Sequence, residues 1–285
     1  MPSLIKLTEC PRDAMQGLTN FVPTEIKAAY INLLLQVGFD TLDFGSFVSA
    51  KAIPQMQDTA EVLRRLDLSS TKSKLLAIVA NYRGAVEALL HPEITYLGFP
   101  FSISETFQER NTNSGINESF DSVKRINEIC TGKQKQLLVY LSMGFGNPYG
   151  DDWSVEIVHS WTEKLVSEGI QTIALSDTIG IATPQQISSI YPTLCKEFPD
   201  TEFGVHLHST PGTWFEKVEA AYISGCKRFD SALKGYGGCP MAKDDLTGNI
   251  ATENLVGYLQ SQDIVAGLNL DKLQEAMDYS GRIFG

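Results

Sequence analysis

Eight times along this chain a short apolar run ends in polar residues and gives way to a stretch with helical spacing, and that alternation leaves few folds open. The runs predict strands over 4–9, 39–44, 74–80, 94–98, 136–141, 171–175, 202–208 and 227–230. Helical stretches follow over 24–37, 58–66, 85–90, 119–129, 154–168, from Pro184 onward and over 214–224. A last one runs from Leu270 to Ile283 and is expected to pack outside the sheet or at a subunit contact. Several runs are apolar without alternation, as strands covered on both faces are, and no composition break divides the chain. The expectation is therefore α/β: a TIM (β/α)8 barrel with an additional C-terminal helical segment, one domain spanning residues 1–285. An open dinucleotide-binding sheet fits less well. Gly144-Phe145-Gly146 follows a late strand and lacks the third glycine of that fingerprint.

Composition narrows the partners. Thirty-four acidic against 23 basic residues give a formal net charge of -11, with no extended Lys/Arg block, which disfavours nucleic acid and anionic membrane as principal partners. No apolar run has transmembrane length, and Met1 to Lys6 lack the regions of a secretory signal. The five cysteines, at 10, 130, 195, 226 and 239, form no paired metal-binding pattern and suit free thiols in a reducing compartment. A soluble cytoplasmic protein is the expectation.

In a barrel of this kind the polar residues that end the strands converge on one mouth. Arg12 and Asp13 follow the first strand, Asp43 closes the second and Asp177 the sixth. His206 and His208, two of the four histidines, stand two apart on the seventh, so a strand turns both imidazoles to one side. Neutral imidazoles in that arrangement suit a divalent metal as well as ordinary hydrogen bonding. After the eighth strand Gly235-Tyr236-Gly237-Gly238-Cys239-Pro240 provides a loop able to bend over a pocket, and Asn249 follows shortly beyond.

Thr8-Glu9-Cys10-Pro11-Arg12-Asp13-Ala14-Met15-Gln16, Ser46 to Lys51 with Pro54-Gln55-Met56, Asp177-Thr178-Ile179-Gly180, the paired histidines, Gly237-Gly238-Cys239-Pro240 and Gly248 to Glu253 together resemble hydroxymethylglutaryl-CoA lyase, in register over nearly the whole chain. The resemblance implies a Mg²⁺ or Mn²⁺ centre at Asp13, His206, His208 and Asn249, whose imidazole, carboxylate and amide donors leave room for substrate oxygens. It implies retro-Claisen cleavage of (S)-3-hydroxy-3-methylglutaryl-CoA to acetoacetate and acetyl-CoA, a step of leucine degradation. Arg12 would then stabilise the enolate oxygen, Asp43 orient groups near metal and arginine, and Cys239 protonate the carbanion. The base is left open between His206 or His208 and Asp177. Lys51, Asn81, Arg83, Arg110 and Asn111, in loops after predicted strands, are the candidates for contact with coenzyme A. A homo-oligomer, with a dimer as the simplest form, is expected.

The chain also departs from the lyase pattern. Asp43 stands where Glu is common, and Ser209-Thr210-Pro211-Gly212 replaces Asp-Thr-Tyr-Gly. Gly17-Leu18 replaces Asn-Glu, Lys234 stands in place of a small residue, and Met143 and Asn147 replace cysteines. These positions leave the proposed ligands intact and bear on the acyl group. A Claisen-type condensing enzyme with another substrate is the alternative within the fold. A non-catalytic barrel that binds metal or coenzyme A is the alternative outside enzymology.

Overall fold

The computed structural model describes residues 5–238, 247–264 and 267–285. Along the first half run β1 (Lys6–Glu9), α1 (Pro11–Gln16), α2 (Thr24–Val37), β2 (Thr41–Ser46), α3 (Thr59–Leu63), β3 (Lys74–Ile78), α4 (Tyr82–Ala88), β4 (Ile94–Ser102), α5 (Glu105–Thr112) and α6 (Ile116–Gly132). The second half adds β5 (Gln136–Ser142), α7 (Val155–Ser167), β6 (Thr172–Asp177), α8 (Pro184–Glu197), β7 (Glu202–Ser209), α9 (Trp214–Ile223) and β8 (Arg228–Ser231). A two-residue strand, β9 (Gly248–Asn249), then precedes α10 (Thr252–Ser261) and α11 (Leu270–Phe284). Strands β1 to β8 pair in parallel, β8 returns to β1, and the β6–β7 pairing closes the sheet into a barrel. This is the (β/α)8 architecture with a C-terminal helix that the alternation predicts.

Two short helices lie where the sequence reading placed only loop, and each has a local cause. Pro11 opens α1 at a position where its missing N–H costs nothing. Ser104 caps α5, its Oγ accepting from the Phe107 amide at 3.2 Å. β9 and α10 are further additions, β9 pairing antiparallel with the end of β7 so that His208 faces Asn249 and Ser209 faces Gly248.

Alternate strand residues separate two cores. Leu75, Leu97, Val139, Leu141, Ile173 and their neighbours face outward into the main core beneath the helices. Leu76, Ile78, Tyr96, Leu138, Tyr140 and Ala174 form a smaller cluster inside the barrel. At the N-terminal end Arg228, 1% exposed, lies under the Tyr96 ring and 3.4 Å from both Glu202 and the Thr41 hydroxyl. Charges thus seal the bottom, methyl and ring groups fill the middle, and the polar strand ends gather at the C-terminal mouth.

Candidate active site

Arg12 and Asp13 occupy the first turn of α1, directly beyond β1, and are 7% and 8% exposed. Asp43, at 0%, grips Arg12 as a fork: Nε donates at 3.2 and 3.0 Å to the two carboxylate oxygens and Nη2 donates at 2.5 Å. Nη1 donates to Asp13 Oδ1 at 3.0 Å and to Gln16 Oε1 at 2.9 Å, while Gln16 Nε2 donates to the same Asp13 oxygen at 2.8 Å. Four of the five guanidinium N–H groups are thereby engaged, which leaves one on Nη2. Gln16 was not singled out from sequence, although its spacing of four from Arg12 and three from Asp13 places all three on one helix face.

The histidines are fixed from behind. His208 Nδ1 lies 2.9 Å from the Thr178 carbonyl and His206 Nδ1 3.2 Å from Asp230 Oδ2. Carbonyl and carboxylate oxygens only accept, so each Nδ1 carries a proton, and in the neutral ring each Nε2 presents a lone pair. The two Nε2 atoms lie 3.3 Å apart. Lone pairs at that separation repel unless a cation or a proton stands between them. Asp13 completes the set, with one ligating atom from each of Asp13, His206 and His208 within 4.8 Å of the others. This donor set fits a divalent ion bound by nitrogen and oxygen. Asn249, opposite His208, donates Nδ2 to Asp13 Oδ2 at 2.7 Å and to the Tyr236 carbonyl at 2.8 Å.

Electrostatics follow from burial and neighbours. Burial pushes the Asp13 carboxyl up, but Arg12 and then the two histidines outweigh it and bring it down to about 2. Asp43 is raised to about 6, because burial exceeds the attraction of Arg12, and Asp13 and Asp230 add repulsion. The Arg12 guanidinium is held still more firmly protonated, the two carboxylates overcoming the cost of its burial. His208 is lowered by burial and by His206, whereas the Asp230 hydrogen bond and charge raise His206 against its own burial.

A cleft of about 420 Å³ opens over these groups, lined by the polar Arg12, Asp13, Gln16, His206 and His208 and by the apolar Val48, Ile53, Ile78, Pro100 and Phe107. Arg110 and Asn111 line it too, and the Tyr140 hydroxyl, buried at its wall, has no hydrogen-bond partner among the described residues. Asn81 and Arg83 line a separate pocket of about 240 Å³ beside Ser46 to Ala50. There Asn81 Oδ1 caps α4, accepting from the Gly84 amide at 2.9 Å. Lys51 lies on the exposed loop after β2 and lines neither.

Asp177 sits differently from the expectation of a proton-transfer acid. Its Oδ1 accepts from the Ile181 and Ala182 amides at 2.8 and 3.0 Å, and its Oδ2 accepts from Lys217 at 2.7 Å. The carboxylate is 1% exposed, and Ser176 and Thr178 line the cleft on either side of it while Asp177 does not. The cause is strand alternation: Asp177 faces the helices, not the barrel interior. Cys239 lies outside the described residues.

Barrel and site define the class: a (β/α)8 barrel with a His-x-His and carboxylate candidate metal centre at the C-terminal mouth of its strands. The HMGL-like family profile matches residues 5–279, and the chain belongs to that family. It is 34% identical over 266 residues to a hydroxymethylglutaryl-CoA lyase of Bacillus subtilis, covering 93% of this chain and 88% of the relative. The mitochondrial hydroxymethylglutaryl-CoA lyase of Bos taurus is 35% identical over 278 residues, with 96% and 84% covered. Among solved structures, an HMG-CoA lyase from Acinetobacter baumannii in complex with coenzyme A and 3-methylmalate superposes with a TM-score of 0.90 at 32% identity, over 98% of this chain and 91% of that one.

Proposed function

We propose that this chain is a carbon–carbon lyase that cleaves 3-hydroxy-3-methylglutaryl-CoA to acetoacetate and acetyl-CoA. The observation that carries the reading is the meeting of a carboxylate-clamped Arg12 with Asp13, His206 and His208 over one cleft, in a chain of the HMGL-like family. Mg²⁺ or Mn²⁺ is the ion we assign to Asp13, His206, His208 and Asn249, where it supplies Lewis acidity that eases loss of a proton from the substrate's tertiary hydroxyl. The reaction breaks the C2–C3 bond, converts the hydroxyl carbon to a ketone and leaves the bonding electron pair on the thioester as an enolate. Arg12, immobilised by Asp43 and Gln16, directs its remaining Nη2 N–H and its charge at the enolate oxygen. With both His Nε2 atoms committed to the ion and Asp177 tied to Lys217, the hydroxyl proton passes to water in the open cleft, where Tyr140, Ser142 and Ser176 supply neutral hydroxyls around the substrate.

Carbon protonation of the enolate then yields acetyl-CoA, a step we carry over to Cys239 from the resemblance. Arg110 and Asn111, at the cleft, are better placed for the coenzyme A chain than Asn81, whose amide oxygen is spent on capping. No helix among the described residues is long and apolar enough to cross a membrane. We assign the protein to the cytoplasm, as a homo-oligomer in leucine degradation, with residues 1–285 working as one catalytic domain. The test is to load reduced enzyme with Mg²⁺ or Mn²⁺, supply hydroxymethylglutaryl-CoA and measure both products. Turnover that needs the ion and disappears in Arg12→Ala supports the reading. Efficient cleavage of another 3-hydroxyacyl-CoA instead moves the substrate, and consumption of acetyl-CoA with a 2-oxo acid makes it a condensing enzyme.

A further inference from the structure

We infer that the last turn of the C-terminal helix is part of the site's support, with Phe284 a positioning residue that acts on Asn249 and Asp13 through Tyr236. The inference rests on the reading of Asp13 and Asn249 as ligands, and deepens it.

Phe284 stacks on Tyr236 with ring centroids 4.1 Å apart and planes 17° from parallel. Its other side meets Tyr30 of α2 edge-on at 6.4 Å. Helix α11 thereby joins the outer helical layer to the loop that follows β8. Tyr236 and Phe284 pack on a small cluster formed by Cys10, Ala14 and Ala232, and Phe284 also packs against the main core. Cys10 and Ala14 flank Arg12 and Asp13, so this cluster is the seat of α1. The same ring that braces the loop braces the helix carrying the arginine and the carboxylate.

The loop touches the site through its backbone. The Tyr236 carbonyl accepts from Asn249 Nδ2, and that nitrogen also donates to Asp13 Oδ2. Gly237, with φ of 85°, lies so close that a Cβ there would stand 2.8 Å from the Asp13 carbonyl and 2.9 Å from Asn249 Nδ2. A Cβ on Gly248 would stand 2.3 Å from the Gly235 carbonyl. Backbone packed this tightly transmits displacement, so a shift of Tyr236 moves the acceptor that aims the Asn249 amide. That amide in turn spends both nitrogen donors on Asp13 and Tyr236, leaving its oxygen the end offered to an ion.

Two variants of the full-length chain separate this from general loosening of α11. Phe284→Ala removes the rings' contact with both Tyr236 and Tyr30; Tyr279→Ala removes a stack on Tyr30 at 6.3 Å from the same helix and leaves Tyr236 alone. Hydrogen exchange of the apoprotein is the first readout, with Phe284→Ala expected to speed exchange at 232–237 and 248–250 by at least about tenfold, Tyr279→Ala to leave it, and Phe284→Tyr to restore it. Mn²⁺ titration followed by electron paramagnetic resonance is the second, with about tenfold weaker binding in Phe284→Ala alone. Unchanged exchange in Phe284→Ala, or equal acceleration in Tyr279→Ala, overturns the inference. Wild-type protein that binds no Mn²⁺ overturns the metal reading, and the exchange experiment still decides the brace.

Discussion

Lys217 Nζ lies 2.7 Å from Asp177 Oδ2, and the two side chains are 3% and 1% exposed. Its other donors reach the carbonyls of His208, at 2.8 Å, and Gly180, at 2.9 Å. A single ammonium on α9 therefore ties the ends of β6 and β7 together beneath the turn whose Thr178 carbonyl orients His208. Support for the second histidine thus includes this clamp, which also holds the His208 carbonyl.

Lys217→Met leaves the Asp177 carboxylate buried without its cation and is expected to cost about 3–5 kcal/mol of unfolding free energy, since removing one partner of a buried pair exposes the other's desolvation cost. Asp177→Asn in the same chain should recover part of that loss. Urea unfolding of the two single variants and the double variant measures the coupling. Additive losses would show that the pair is not coupled.

Divalent ion should stabilise the folded chain. At about one hundred times its dissociation constant, one bound Mn²⁺ adds about 2.7 kcal/mol, and treatment with a chelator should return the melting temperature to that of the apoprotein. His208→Ala and Asp13→Ala should lose the shift. A shift retained in both variants would place the ion elsewhere.

Arg12→Lys keeps the charge and loses the fork that Asp43 grips through Nε and Nη2. We expect kcat to fall by about 10²- to 10³-fold, on the scale of losing one preorganised donor to a developing oxyanion. Coenzyme A affinity, read by calorimetry, should stay within about twofold. A fall confined to KM would assign Arg12 to ground-state binding instead.

Glu9 predicts a pH dependence away from the site. Burial lifts its carboxyl from 4.5 to about 8, against the hydrogen bonds from Thr252 and the Leu233 amide. Between those values the folded chain holds a proton that the unfolded chain has released. Its contribution to stability is therefore fully present below pH 4.5 and is lost as pH rises through about 8. Glu9→Gln, neutral and near-isosteric, should flatten the fall over that window, by on the order of a few kcal/mol. Unfolding curves taken from acid to mildly alkaline pH check the slope; parallel curves for both proteins would remove Glu9 as its source.

The limits of sequence reading show in particular residues. His206 and His208 were legible as a same-facing pair because strand period two is a local property. Arg12 and Asp13 were legible through adjacency to a strand end. The same alternation argument, applied to Asp177, would have turned it outward, but its place in a family motif suggested an acid. Asp230 and Lys217 gave no signal, since each acts on a partner brought near by folding: Asp230 on His206 across the β7–β8 pair, Lys217 on the turn after β6. Asn81 shows the converse, a loop amide suited to a ligand that the local backbone takes as a helix cap.

Sequence alone determined the order of the eight barrel strands and most of the helices between them, because periodicity is written within a few consecutive residues, and the resemblance of the motifs around Arg12, Asp13 and the histidines pointed to the family. Tertiary structure decided which carboxylates are free to act, which histidine nitrogen carries the proton, and that Phe284, the next-to-last residue, stacks on the loop that aims Asn249. Those outcomes depend on groups far apart in the chain competing for the same few donors and acceptors once water has been removed. Only the folded geometry sets who wins.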